Sequence, residues 1–115
     1  MSDTQREYSG WLQARVNQDQ RERLSAVARE AGLILEVADG YIEFEYQGRD
    51  SNRFVVKFLA KVAAIVGDAD GEVRCDVELV NSDPIFEFYS FKGGKLVRQI
   101  GRILRGAVEL VEVPD

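Results

Sequence analysis

Carboxylates spaced two apart are the first residues in this chain whose pattern could do chemistry. Glu43 and Glu45 form one such pair, and Asp76 and Glu78 form another. Paired carboxylates hydrolyse glycosides or hold the metal ions of hydrolases. In a strand, residues two apart share a face. If both strands belong to one sheet, four carboxylates stand together on it. Nothing apolar accompanies them on that face to raise a carboxyl pKa towards that of a general acid. The pattern therefore reads as a solvated outer face, or as a docking surface for a basic partner.

Other candidates fail on residue type or spacing. The run D-A-D-G-E, Asp68 to Glu72, faintly echoes a calcium loop. Counted from Asp68, the sixth position is Val73 instead of Gly, and the twelfth is Leu79 instead of Glu. It reads as a turn. Arg49–Asp50–Ser51–Asn52 has neither a Gly-rich cradle nor a Lys–Ser/Thr pair for phosphate. It reads as a helix cap supplied by Ser51 or Asn52. Cys75 is the single cysteine, and the chain contains no histidine. A nucleophilic thiol needs a base or a cation beside it, so Cys75 reads as core filling. The lack of histidine also removes the commonest metal ligand. No catalytic residue, metal site or cofactor is expected.

Aromatic residues crowd the run D-P-I-F-E-F-Y-S-F-K-G-G-K-L, Asp83 to Leu96. As a strand, Phe86, Phe88 and Ser90 point to one side, and Ile85, Glu87, Tyr89 and Phe91 point to the other. A carboxylate is costly inside a core. That cost assigns Phe86 and Phe88 to the core and Tyr89 and Phe91 to the outer face. Tyr41, Glu43, Glu45, Asp76, Glu78, Glu87, Tyr89 and Phe91 then form one acidic and aromatic surface. Rings anchoring among steering charges are the make-up of a protein interface. Burial of those rings under a terminal helix is the competing reading.

Several elements must position these residues. Asn17 to Glu30 places Leu24, Val27, Ala28 and Ala31 on one helical face, with Gly32 as a stop. Tyr8, Trp11, Leu12 and Val16 carry a similar spacing upstream, as a short helix docking through Trp11 or an extension of the first. Asp39–Gly40 between two β-rich runs predicts a hairpin with a type I′ turn. Val55, Phe58, Leu59, Val62, Ala63 and Val66 predict a helix within Asp50 to Val66. Val73, Cys75, Val77 and Leu79 alternate with polar residues as a strand. Ile85 to Phe91 is the next strand, and Gly93–Gly94 allows a hairpin turn after it. For residues 95–111 the apolar spacing favours a helix, with a strand as the alternative. That helix would align Arg98, Arg102 and Arg105 on its other side. The predicted fold class is α+β, a single layer of antiparallel sheet with helices packed on one face. The predicted order is α-β-β-α-β-β-α, the last element alternatively β.

The chain has 115 residues, the size of one domain. Residues 1–16 could be a mobile or separately docked N-terminal segment. With 20 acidic against 15 basic residues the net charge is −5. That balance disfavours nucleic acid, whose phosphates need cations. The N-terminus lacks the apolar stretch of a signal peptide, and no run reaches the roughly 18 apolar residues of a membrane span. One thiol makes no internal disulfide, and a cytoplasmic location is expected.

In size, acidity and element order, the chain resembles the type III secretion chaperone class of folds. That resemblance implies a non-enzymatic protein that dimerises and binds segments of other proteins. The extra strand expected before the middle helix is missing. The acidic–aromatic surface is similar to that of small bacterial immunity proteins, which block a basic toxin. The sequence thus predicts a module that binds another, basic protein. Two rivals stand beside it. One is a ligand or catalytic pocket lined by Trp11, Phe58, Phe86 and Phe88. The other is a homodimer paired through the final segment around Ile103.

Overall fold

A computed structural model describes residues 5–77 and 85–102. Six strands form one antiparallel sheet, and two helices pack on one of its faces. In chain order the elements are β1 (Gln5–Gln13), α1 (Gln18–Ala31), β2 (Leu35–Ala38), β3 (Tyr41–Arg49), α2 (Phe54–Val66), β4 (Asp70–Val77), β5 (Ile85–Lys92) and β6 (Lys95–Arg102). The strands lie in the order β2-β3-β1-β4-β5-β6, so the first strand sits in the interior of the sheet. The α+β class and the one-sided helices are those expected from the sequence.

Two elements differ from expectation. Residues 5–13 form β1, a strand paired with both β3 and β4, instead of a docking helix. Arg6, Tyr8, Gly10 and Leu12 face the helices, while Glu7, Ser9 and Trp11 face away. The second difference is β6, which continues from β5 through Gly93–Gly94 as a strand. Both glycines take the positive φ of a tight hairpin turn, 59° and 77°. The alternative of a final strand therefore holds for 95–102, and the remainder of the predicted helix lies outside the described residues.

The other predicted elements are present, with local corrections. α1 opens on a capping box in which Asn17 and Gln20 satisfy each other's backbone N–H, and it ends on left-handed Gly32. The Asp39–Gly40 hairpin forms, but Asp39 keeps a negative φ, so the turn is not type I′. Neither Ser51 nor Asn52 is the observed cap of α2. Asp50 Oδ1 accepts the Val55 N–H at 2.9 Å, across a 3-10 turn at Ser51–Arg53. Asn52 and Arg53 in that turn both hold positive φ, 55° and 56°, an uncommon state for residues with a Cβ.

Leu24 and Ala28 of α1 and Val55, Phe58, Leu59, Val62 and Ala63 of α2 are buried against the inner sheet face. That face supplies Tyr8, Leu12, Ile42, Phe44, Val73, Cys75, Tyr89 and Phe91. Among the described residues, no helix is long and apolar enough to cross a membrane.

Candidate functional site: the outer face of the sheet

The face of the sheet turned away from the helices carries the candidate site. Strand parity sets Glu7, Ser9 and Trp11 of β1, Tyr41, Glu43 and Glu45 of β3, and Glu72, Arg74 and Asp76 of β4 on this side. Phe86 and Phe88 of β5 and Val97 of β6 share it. Trp11 is 56% exposed and Tyr41 is 41% exposed, unusual for large rings on paired strands. Trp11 lies directly between Glu43 on one neighbour and Glu72 on the other.

Four of the predicted contact residues share this face: Tyr41, Glu43, Glu45 and Asp76. Glu78 lies outside the described residues. Glu87, Tyr89 and Phe91 are the correction. All three are buried on the inner face, and Phe86 and Phe88 take their place outside. The inversion is possible because Glu87 is compensated. Its Oε1 accepts from Arg53 at 2.7 Å, from the Tyr89 hydroxyl at 2.8 Å and from Arg6 at 2.9 Å. Arg98 adds a longer ion pair, 3.7 Å to Oε2. Charge-assisted bonds of this kind offset the cost of burying a carboxylate.

The same partners set protonation in the buried cluster. Burial alone would raise the Glu87 pKa. The Tyr89 hydroxyl and the guanidinium groups of Arg53 and Arg6 outweigh it and hold Glu87 below the ordinary carboxylate value. Burial, and the bond donated to Glu87, push Tyr89 up to about 12. Tyr8 is pushed up by burial and by donating to Asp50 Oδ2. Burial also pushes the Cys75 thiol up, disfavouring the thiolate. Every buried polar side-chain atom among the described residues has a partner. This cluster ties β1, β5 and β6 to the α2 entry turn, and it reads as structure.

On the outer face the charges are less occupied. Arg74 forms two bonds to Asp76, at 2.6 and 3.0 Å, and its guanidinium lies 4.8 Å from the centre of the Phe86 ring. The rings of Phe86 and Phe88 are 6.4 Å apart. Gly101 leaves room for Phe88, since a Cβ there would stand 3.0 Å from that ring. Glu43, Glu45 and Glu72 have no ion-pair partner among the described residues.

Two glycines shape the ground beneath Trp11. A Cβ on Gly10 would meet the Glu72 carbonyl oxygen at 2.3 Å, and one on Gly71 would meet the Trp11 carbonyl oxygen at 2.6 Å. Only residues without a Cβ let β1 and β4 approach so closely. Sequence reading did not place Trp11 or Glu72 in the site, because β1 was read as a helix and Glu72 as a turn residue.

The four rings expected to line a pocket do not converge. Phe58 is buried in the core, while Trp11, Phe86 and Phe88 lie on the opposite side of the sheet. No group of acidic or cysteine side chains able to hold a metal occurs among the described residues. Of the predicted arginine row, Arg98 faces inward to Glu87, and the side chains of Arg102 and Arg105 lie outside the described residues. The chain matches no protein-family model, no curated protein and no solved structure with which it was compared.

Proposed function

We propose that this protein is a non-enzymatic binding module that docks a basic protein on the outer face of its sheet. A chaperone-, immunity- or regulator-like role in the cytoplasm fits this reading. The observation that carries it is the combination of half-exposed rings with unpaired carboxylates on a face no described residue covers. Exposed aromatic area supplies the apolar anchor of an interface. Carboxylates around it steer a cationic partner and fix its register. Solubility alone would account for scattered carboxylates. It does not account for two large rings, Trp11 and Tyr41, left half in water on neighbouring paired strands.

Glu45→Lys combined with Asp76→Lys tests the reading. Both side chains are on the outer face and away from the buried cluster, so the fold should persist by circular dichroism. A basic protein retained from the cognate lysate by the wild-type chain should elute with salt. The double variant is expected to lose it. Equal retention by both proteins would reject the outer face as the docking surface.

A further inference from the structure

Trp11 and the two carboxylates beside it carry a more specific assignment. It rests on the docking face proposed above. Glu43 and Glu72 are the direct cross-strand neighbours of Trp11, one on each side. Cβ atoms of such neighbours stand about 5 Å apart. Strands are spaced about 4.8 Å apart, so the two glutamates stand roughly 10 Å apart with the indole between them. That separation does not suit a chelated metal ion, whose oxygen ligands crowd within about 2.5 Å of it. It does suit a long cationic side chain lying along an aromatic ring with its charged end at a carboxylate.

Trp11 borders two clefts, one of about 530 Å³ together with Tyr41, Asp39 and Arg15, and one of about 440 Å³ together with Glu72, Asp70 and Arg74. Arg74 borders the second cleft, and Asp76 and the Phe86 ring already hold it. Arg15 borders the first cleft beside Asp39, and no described cation is stacked on Trp11. A cation over an indole face gains from the ring quadrupole, and the gain grows as the partner excludes water.

We propose that Trp11, Glu43 and Glu72 form a clamp for one lysine or arginine side chain of the docked basic protein. The indole receives the aliphatic stem and the charge over its face, and one glutamate, Glu43 or Glu72 according to the direction in which the side chain lies, accepts from the ammonium or guanidinium. The close approach of β1 and β4 at Gly10 and Gly71 holds the three side chains in one row across three strands.

Trp11 is the chain's single tryptophan, so its emission reports this site alone. The test titrates the full chain with a peptide of alternating lysine and threonine, using a glutamate–threonine peptide as control. The lysine peptide should change Trp11 emission saturably, and more weakly as salt rises. Glu43→Gln with Glu72→Gln should weaken the lysine peptide about tenfold, and the acidic peptide should leave the emission unchanged. Trp11→Leu, followed by calorimetry, should weaken binding comparably. An unchanged affinity in the double glutamine variant, or no response of Trp11 to the lysine peptide, would overturn the clamp. The wider docking face is judged separately, by Glu45→Lys with Asp76→Lys. A clamp failure with that pair still abolishing retention of the basic protein leaves the face standing and removes only Trp11 from its centre.

Discussion

Glu87 shows how far one residue can depart from its type. A carboxylate in an aromatic strand is expected outside, yet Glu87 is 6% exposed. The two arginines bonded to its Oε1 are 81 and 34 positions away in the chain, so no local pattern announces them. Removing its charge strands Arg6 and Arg53 in a partly dry site. Glu87→Gln should lower stability by about 3 kcal/mol, measured by urea unfolding. The pH dependence follows from two shifts of opposite sign. The Glu87 pKa is depressed in the folded protein. Its contribution is therefore full above the unfolded value, about 4.3, and is lost as pH falls through the depressed folded value. Tyr89 is raised to about 12. Its contribution is full below about pH 10 and is lost as pH rises towards 12. Unfolding free energy should thus fall at both ends of the pH range. Glu87→Gln should flatten the acid limb and Tyr89→Phe the alkaline limb. Limbs unchanged in the variants would show that other groups control them.

At the scale of elements, legibility depended on whether a spacing distinguishes helix from strand. α2 was legible because Val55, Phe58, Leu59 and Val62 fit a helical period and no alternation. The β2–β3 hairpin was legible from Asp39–Gly40, although Asp39 keeps a negative φ. β6 was not, since residues four apart, such as Leu96 and Ile100, share a side in a strand as well as in a helix. β1 was hidden because its inner row is broken by Arg6 and Gly10, while Trp11 on the outer row completes a helical spacing with Tyr8 and Leu12. In β5 the existence of the strand was legible but its facing was not, and a one-residue error of parity exchanges the two faces completely. Alanine substitution separates the two parities. Phe91 is 1% exposed in the core, and Phe91→Ala should cost about 3–5 kcal/mol. Phe88 packs on the open face, and Phe88→Ala should cost well under half of that by the same denaturation measurement. Equal costs would contradict the assigned facing.

At the scale of the whole molecule, both described helices lie on one side of the six-stranded sheet, and no described element covers the other side. Half of the predicted contact surface was legible there, since Tyr41, Glu43, Glu45 and Asp76 come from clean alternation in β3 and β4. The aromatic half was assigned from the wrong side of β5, and Phe86, Phe88 and Trp11 supply it instead. A sheet face with exposed rings, and with carboxylates that have no ion-pair partner among the described residues, is complementary to a cationic protein surface. Acrylamide quenching of Trp11 emission, in the full chain alone and then bound to the basic protein it retains, tests that account most directly. Trp11 should be readily quenched in the free chain and strongly protected in the complex. A tryptophan already shielded in the free chain, or one quenched equally in the complex, would contradict it.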